Sequence, residues 1–244
     1  MREETEFRPK PLVDIGGRPI LWHIMKMFAT CGFSDFIMCL GYRGAMIKEY
    51  FLSYETMNND FTITLGRSQA IQLHAQNEDS FNVTLADTGL ATMTGGRVRR
   101  AARYLDDDEH FMLTYGDGVA DVDLKRLVDF HKQHGRLATV TVNRPTSRFG
   151  MLDVADDGVV AQFAEKPQSL NWASAGFFVF DRRVLDYLGG DDCVLENEPL
   201  ERLVREQQLV AYRHDGFFFA MDTYREYLYL NQLWEGGQAP WKTW

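Results

Sequence analysis

The segment FMLTYGDGVADVD, residues 111 to 123, constrains the fold more than any other part of the sequence. Its apolar, β-prone run ends at Tyr115, and Asp117 then stands between two glycines. An apolar run of this length bounded by glycine predicts a parallel strand that is covered on both faces. The segment DVDLKRLVDFHKQHG that follows predicts a helix. The sequence therefore predicts an open α/β sheet with Asp117 at the carboxyl end of a strand.

Asp117 has two possible roles at that position. The carboxyl ends of strands in open α/β sheets form the crevice in which ligands bind, and flanking glycines let an anion or a metal approach the backbone. An aspartate between glycines is also typical of a turn in which the carboxylate bonds its own backbone. A second aspartate in an equivalent place favours the ligand role.

Asp222 is such a second aspartate, because the apolar run FFFAM leads up to it and the amphipathic segment TYREYLYLNQLWEGG follows it. Asp222 or Thr223 could alternatively be the N-cap of that helix, since both side chains satisfy free backbone N–H groups. Two carboxylates on neighbouring strand ends could instead share one Mg²⁺, which prefers oxygen ligands and retains water and substrate phosphates. The pair indicates phosphoryl or nucleotidyl transfer.

Phosphate chemistry also needs cations, and three basic elements are candidates. They are Arg8 and Lys10 in FRPKP, Glu165 and Lys166 in EKP, and Arg97 in TGGR. Each also has a simpler explanation. Lys10 beside a proline could be a solvated turn residue, and Glu165 and Lys166 could form a weak surface ion pair. The two glycines before Arg97 could simply let the chain turn into a helix.

Composition limits the classes of function. A chain of 244 residues with 45% hydrophobic residues can bury one substantial core. A formal charge of −9 argues against a nucleic-acid surface. The N-terminal segment MREETEFRPKP has no apolar stretch and no run is long enough to span a bilayer, so we expect a cytoplasmic protein with no membrane partner. The three cysteines are expected to be buried thiols, and His131 and His134 surface residues.

The order of predicted elements indicates one domain in two halves. Residues 18 to 31 predict a helix and SDFIMCLGY a strand, and residues 61 to 87 alternate in a way that indicates antiparallel strands. Residues 145–244 begin with the hairpin FGMLDVADDGVVAQFAEKP. No linker separates them from residues 1–144, so residues 1–244 are expected to form a single α/β domain. Its sheet is expected to be Rossmann-like, mixed and mostly parallel, flanked by helices, with a small β-rich portion.

Seven segments spread over nearly the whole chain carry a resemblance: RPKPLVDIGGRPILWHIMK, MTGGRVRR, TYGDGVADVD, EKP, GFFVF, MDTYRE and PWKTW. They resemble the sugar-phosphate nucleotidyltransferases, and among these the glucose-1-phosphate cytidylyltransferases. PILWHIMK and PWKTW are typical of the cytidylyl branch, whereas GDG, EKP and MDT occur more widely. The resemblance implies the nucleotidyltransferase fold and the reaction of CTP with α-D-glucose 1-phosphate to give CDP-glucose and pyrophosphate.

The resemblance also implies roles for individual residues. Asp117 and Asp222 match the Mg²⁺ ligands, and Lys10 matches the lysine that contacts the phosphates. Glu165 and Lys166 match the pair that holds the sugar hydroxyl and the sugar phosphate. The remaining expected substrate-binding positions are Arg8, Thr92, Gly95, Gly96, Arg97, Gly116 and Ser174. No side chain needs to be a nucleophile, because the sugar phosphate oxygen attacks the α-phosphorus in line.

The expected cofactor is therefore Mg²⁺, and the expected partners are CTP and a sugar 1-phosphate. Residues 1–144 are expected to be the nucleotide-binding half, and residues 145–244 the sugar-phosphate-binding half with the C-terminal helix. We also expect a homo-oligomer.

Two departures from the family pattern affect these expectations. Family members begin with a short strand and a loop G-G-x-G-T-R followed by an apolar residue, and Met1 falls where that apolar residue would be. We therefore expect a truncated N-terminus or a start at an internal methionine, the loss of a central strand and impaired activity. Ser174 and Ala175 replace the asparagine and glycine that precede GFF in the family, so another sugar 1-phosphate is an alternative substrate.

Two other functions are compatible with parts of the sequence. The segment DVD at 121 to 123 has the D-x-D form of metal-dependent glycosyltransferases. Asp121 and Asp123 follow the predicted strand, however, and better suit the start of a helix at Leu124. The other alternative is a non-catalytic module that binds sugar nucleotides, which the absence of the phosphate loop would make natural.

Overall fold

The computed structural model describes residues 7–66, 70–74, 80–147 and 149–244. The strands are β1 (Asp14–Ile15), β2 (Arg18–Pro19), β3 (Asp35–Leu40), β4 (Phe61–Thr64), β5 (Ala70–Leu73), β6 (Asn82–Asp87), β7 (His110–Leu113), β8 (Gly118–Ala120), β9 (Ala138–Asn143), β10 (Met151–Val154), β11 (Val160–Ala164), β12 (Ala173–Asp181), β13 (Leu209–Arg213) and β14 (Phe218–Ala220). The helices are α1 (Ile20–Thr30), α2 (Gly44–Leu52), α3 (Tyr54–Asn58), α4 (Thr94–Ala101), α5 (Leu124–His134), α6 (Glu198–Arg205) and α7 (Tyr224–Glu235). Short 3-10 helices lie at Lys10–Leu12, Ala102–Tyr104 and Arg182–Tyr187.

The largest sheet has the strand order β13-β9-β12-β7. β9 is parallel to β13, and β12 is antiparallel to both β9 and β7. β7, β9 and β13 therefore end at the same edge, where β12 begins. We call this the carboxyl edge. β8 follows β7 in the chain and β14 follows β13, and the two pair antiparallel to form a separate two-stranded ribbon.

The prediction for the strand before Asp117 is only partly correct. β7 forms, but it is antiparallel to its neighbour β12, and its four residues are half-buried rather than buried. Among the described residues β7 has a strand partner on one side only, because β3 pairs with β6 in a separate sheet. A strand that lies at a sheet edge keeps part of its surface open, which accounts for the exposure.

The prediction of antiparallel strands over residues 61 to 87 is correct for β4 and β5 and wrong for β6. β6 is parallel to β3, in a register that runs from Asp35 opposite Asn82 to Leu40 opposite Asp87. The chain between them includes helices α2 and α3, and a crossover of this kind returns a strand in the same direction. The alternation of apolar and polar residues along β6 shows which side chains share a face, but it does not show whether the partner strand is parallel or antiparallel.

Helix α1 joins the two sheets through its apolar face. The Phe28 ring stacks on Phe177 of β12 at 6.2 Å between centroids, and meets Phe36 of β3 edge-on at 6.3 Å. Both contacts belong to one apolar cluster that also contains residues of β8 and α7. The predicted helix over 18 to 31 is thus confirmed, and it is the element that holds β3 beside the larger sheet.

Arg182–Tyr187 form a 3-10 helix, and β13 follows helix α6 after a short turn. The turn between α6 and β13 contains Gln207 at φ +56°. Glycine is the usual residue in this left-handed conformation. The sequence therefore lacks the usual mark of a helix end before β13.

No helix in the described part of the chain is long and apolar enough to cross a membrane.

Two histidines are buried in the core. The prediction that His131 lies on the surface is wrong, since it is 1% exposed and packs against β9, where its Nδ1 lies 2.8 Å from Thr139 Oγ1. His23 is fully buried between β1 and the C-terminal segment. Its Nε2 lies 2.9 Å from the Ile15 carbonyl oxygen, and Trp241 Nε1 donates to its Nδ1 at 3.3 Å. PILWHIMK and PWKTW are thus in contact, and His23 is held as the neutral tautomer with its proton on Nε2.

Acid should destabilise the protein through these histidines. Burial lowers the pKa of His23 to about 4, whereas an unfolded histidine titrates near 6.5. As the pH falls from 6.5 to 4, the unfolded chain takes up a proton that folded His23 does not, so the free energy of unfolding falls, and it levels off below pH 4. The loss is about 3 kcal/mol. Burial likewise lowers the pKa of His131 to about 4, so the unfolded chain takes up a second proton over the same pH range.

The measurement is the free energy of unfolding in urea at several pH values. The two histidines together lower the free energy of unfolding between pH 6.5 and 4, and His23→Gln should remove about half of that decrease. This holds whatever the substitution does to stability at pH 7. The control is His74→Gln, which makes the same chemical change at an exposed histidine. An unchanged slope in His23→Gln would contradict this account of His23.

Candidate functional site

Asp117 and Asp222 lie at the same end of the ribbon that β8 and β14 form. Gly118 is opposite Ala220 in that ribbon, and the Met221 N–H donates to the Asp117 carbonyl at 2.9 Å. Asp117 is thus opposite Met221, just beyond the last strand pair, and Asp222 directly follows Met221. The ribbon brings together two carboxylates that are 105 residues apart in the sequence.

The alternative role of Asp222 as a helix cap is wrong. Thr223 is the N-cap of α7, and its side chain accepts from the Glu226 N–H. Glu226 completes a capping box, because its carboxylate accepts from the backbone N–H groups of Asp222 and Thr223, both at 2.7 Å. The carboxylate of Asp222 takes no part in the cap and is available to the site.

Lys10 joins the two aspartates. Its Nζ donates to Asp117 Oδ2 and to Asp222 Oδ1, each at 2.6 Å. Burial alone would lower the pKa of Lys10, but the hydrogen bonds and negative charges of the two carboxylates outweigh it and raise the pKa. Two carboxylate oxygens therefore face one point, and that point suits a cation. The predicted grouping of Lys10, Asp117 and Asp222 is present in the structure.

The chemistry of these donors fits Mg²⁺. Both are hard carboxylate oxygens, and the described ranges contain no cluster of three or more His, Cys, Asp or Glu that would form a complete protein cage. Mg²⁺ in enzymes that act on phosphates is typically held by one or two carboxylates, with water and substrate phosphates as the other ligands. Asp117 and Asp222 are the residues that would hold it.

Glycine at position 116 allows Lys10 to reach this point. A Cβ on Gly116 would lie 2.9 Å from Pro11 Cγ, closer than carbon atoms pack. The absence of a side chain at Gly116 thus lets the 3-10 helix that carries Lys10 pack closely against it. Arg8 supports the same turn, because its Nη1 donates to Asp14 Oδ2 at 2.7 Å and to the Leu12 carbonyl at 3.3 Å.

The segment from Thr92 to Arg97 is held mainly by other parts of the protein. Arg97 donates to the Leu40 carbonyl at the end of β3 and to Thr88 Oγ1, at 3.1 and 2.8 Å. Thr92 is buried. The N–H groups of Gly95 and Gly96 both donate to the Cys193 carbonyl, at 2.9 and 3.2 Å. The structure thus gives Gly95 and Gly96 a packing role, and nucleotide binding by this segment stays a prediction.

Glu165 and Lys166 lie just after β11 and form an exposed ion pair, with Nζ and Oε1 3.2 Å apart. The Ser147 N–H donates to the Pro167 carbonyl, which ties this segment to the chain that follows β9. Ser174 is on β12 at the carboxyl edge, where its Oγ accepts from the Gly176 N–H at 3.2 Å. The sugar-binding roles of these residues stay predictions.

A hydrogen-bonded pair that the sequence did not indicate lies beside Asp117. Tyr115 donates to the carboxylate of Glu196, which also accepts from Thr94 Oγ1 at 2.6 Å. Burial and the negative charges of Glu196 and Asp117 raise the pKa of Tyr115. Glu196 comes from the loop before α6, so no local pattern relates it to Asp117.

The D-x-D alternative does not agree with the structure. Asp121 accepts from the Phe217 N–H at 2.7 Å and lies 2.9 Å from His214 Nε2. Asp123 is the N-cap of α5 and accepts from the Arg126 N–H at 3.0 Å. Both side chains have structural partners, as the predicted helix start at Leu124 requires.

Comparisons with known proteins show the family of the chain. The family model described as nucleotidyl transferase matches residues 4–219. The chain belongs to the nucleotidyl transferase family. A glucose-1-phosphate cytidylyltransferase from Salmonella typhi is 49% identical, over 100% of this chain and 95% of that protein. A probable glucose-1-phosphate cytidylyltransferase from Bacillus subtilis is 44% identical over the same shares.

The nucleotidyl transferase fold is also found in a solved structure. Apo-UDP-glucose pyrophosphorylase superposes with a TM-score of 0.69 over 98% of this chain and 94% of that chain, at 14% identity. The predicted mixed α/β fold is therefore confirmed, and so is the resemblance to the glucose-1-phosphate cytidylyltransferases. The division into residues 1–144 and 145–244 stays a prediction.

Proposed function

We propose that this nucleotidyl transferase uses Mg²⁺ to transfer the cytidylyl group of CTP to glucose 1-phosphate, giving CDP-glucose and pyrophosphate. One observation carries the proposal. Lys10 Nζ, Asp117 Oδ2 and Asp222 Oδ1 meet at 2.6 Å, in a chain that is 49% identical to a glucose-1-phosphate cytidylyltransferase. Two carboxylates and a lysine at one point can hold a metal ion and a phosphate together.

The residues of the chain act by positioning and by charge. Lys10 would leave the two aspartates when a nucleotide binds and would contact its phosphates instead. Lys166 would hold the phosphate of the sugar, and Glu165 a sugar hydroxyl. This places the sugar phosphate oxygen for in-line attack on the α-phosphorus of CTP. When bound between Asp117 and Asp222, Mg²⁺ would offset the negative charge of the triphosphate.

The segment around Ser174 departs from the family pattern, and this departure bears on the choice of sugar. Ser174 and Ala175 stand where the resemblance places asparagine and glycine, and Ser174 is exposed at the carboxyl edge. A serine hydroxyl is shorter than an asparagine amide and offers different hydrogen bonds. The second candidate is therefore the same reaction with another sugar 1-phosphate.

The test is an assay of pyrophosphate release, with nucleotide sugars identified by mass spectrometry. Purified chain is supplied with Mg²⁺, CTP and one of glucose, galactose, mannose or N-acetylglucosamine 1-phosphate. CDP-glucose as the main product supports the proposal, and a different CDP-sugar supports the second candidate. Nucleotide binding without pyrophosphate release from any sugar, at chain concentrations high enough to detect an impaired rate, supports the non-catalytic alternative and contradicts both.

The base of the nucleotide gives a further prediction. We expect kcat/KM for CTP to exceed that for ATP and GTP at least about a hundredfold, because the loop from Thr92 to Arg97 resembles the pyrimidine-reading loop of the cytidylyl branch. UTP should be poorer than CTP by about 1–3 kcal/mol, the cost of an unmatched buried polar contact. Equal kcat/KM for CTP and a purine nucleotide, measured under the same conditions, would contradict this.

Assembly and cellular location extend the proposal. We infer a homo-oligomer that acts in the cytoplasm, where CTP and sugar 1-phosphates are available. Sedimentation of the purified chain would measure its mass, and a monomer at micromolar concentration would contradict the first part.

A further inference from the structure

Two arginines share one tryptophan at the carboxyl edge, outside the site of Lys10. The Cζ atom of Arg144 lies 4.5 Å from the centroid of the Trp172 ring, and the Cζ atom of Arg213 lies 5.5 Å from it. Both distances are in the range of cation–π contacts. We call Arg144, Trp172 and Arg213 the arginine cluster.

Strand register explains why these residues meet. Val142 of β9 is opposite Arg213 of β13 on one side and Ser174 of β12 on the other. Residues directly opposite one another in a sheet point to the same face, as do residues two apart in an extended strand. Arg144 and Trp172, two positions on from Val142 and Ser174, therefore continue the same face beyond the ends of the strands.

The charge of the cluster has no partner within the described ranges. Neither guanidinium makes a hydrogen bond or an ion pair there, and Nε of Arg144 is buried without an acceptor. Other arginines of the chain are paired: Arg100 with Asp191, Arg183 with Asp181 and Arg202 with Glu206, at 2.5 to 2.9 Å. Carboxylates outnumber basic side chains, 35 to 26, so acidic partners are not scarce.

An unpaired double positive charge of this kind suits an oxyanion. The planar fork of guanidinium donors matches phosphate oxygens in pairs. Stacking on an indole limits the motion of each guanidinium before a ligand arrives, which lowers the entropy lost on binding. Two guanidiniums on one ring would also repel each other less once an anion lies between them.

We propose that Arg144 and Arg213, held on Trp172, form a binding site for an oxyanion of the phosphate class. The anion has two possible sources: free inorganic phosphate or pyrophosphate, and the phosphate group of a sugar phosphate. The second source is compatible with the position of the cluster. Neighbouring strands lie about 4.8 Å apart, so Arg213 is about 10 Å across the sheet from Ser174.

The first arm of the test measures binding of inorganic phosphate by titration calorimetry at constant ionic strength. Arg144→Gln and Arg213→Gln should each weaken one binding event at least tenfold relative to the parent chain, and Arg213→Lys should recover part of the loss. The matched control is Arg183→Gln, which removes an arginine that is already paired with Asp181 at the opposite end of β12. Circular dichroism checks the fold, and Arg213→Gln decides alone if Arg144→Gln fails to fold.

The second arm measures KM and kcat for the sugar 1-phosphate with CTP saturating. A tenfold rise in KM with kcat unchanged, in the same variants, identifies the sugar phosphate as the source. Weakened binding of inorganic phosphate with KM unchanged identifies the free anion. The proposal is overturned if phosphate affinity and KM in both glutamine variants stay within twofold of those of Arg183→Gln, including the case in which no chain binds phosphate measurably.

Discussion

Asp117→Asn and Asp222→Asn should each lower Mg²⁺-dependent pyrophosphate release at least about a thousandfold, which corresponds to about 4 kcal/mol of the barrier. Each substitution removes one of two carboxylates that face a common point with Lys10, and leaves the volume of the side chain almost unchanged. The fold should persist, because the backbone bond from Met221 to Asp117 and the capping box of Thr223 do not use either carboxylate.

The control for these variants is Asp156→Asn, in the exposed turn between β10 and β11. It makes the same chemical change far from the site in sequence and should keep the parental rate. Near-UV circular dichroism should be the same for all three proteins. The assignment of the metal ligands would be contradicted if folded Asp117→Asn or Asp222→Asn released pyrophosphate within about tenfold of the parental rate.

Lys10→Met should have the second largest effect, a fall in kcat/KM of about a hundredfold or more, since one fixed cation near the phosphates is lost. A second result should accompany it. Lys10 neutralises Asp117 and Asp222 before substrate binds, through two bonds of 2.6 Å. Without it the two carboxylates repel each other, so the nucleotide-free protein should bind Mg²⁺ more tightly than the parent while it turns over more slowly.

The opposite directions of these two effects separate a catalytic lysine from a merely structural one. Lys125→Met on the exposed side of α5 is the matched control and should change neither quantity. Lys10→Arg should recover part of the turnover because it restores the charge. A Lys10→Met variant that turns over at the parental rate, or one that binds Mg²⁺ more weakly, would contradict the role given to Lys10.

The sequence was most informative where local chemistry decides the structure. Asp123 caps α5 and Gly135 ends it at φ +63°, and both follow from preferences of single residues. The two aspartates of the site could be proposed because each follows an apolar run and precedes a helix. Their contact with Lys10 depends on the pairing of β8 with β14, which no pattern within either strand reveals.

The incorrect predictions share a physical cause, because they depended on partners distant in sequence. The direction of β6 and the exposure of β7 are set by which strands lie beside them. The polar ring of His131 favours the surface, but Thr139 of β9 offers it a hydrogen bond in the core. The arginine cluster likewise arises from the register of three strands, and no sequence motif predicts it.

The most direct measurement of the central claim, one metal ion held jointly by Asp117 and Asp222, is the binding of Mn²⁺ in place of Mg²⁺, followed by electron paramagnetic resonance with CTP present. The parent chain and Asp156→Asn are predicted to bind one Mn²⁺ per chain with equal affinity, and Asp117→Asn and Asp222→Asn to bind it at least about tenfold more weakly. Equal Mn²⁺ affinity in all four proteins would contradict the claim, and the site would then have to be sought elsewhere in the chain.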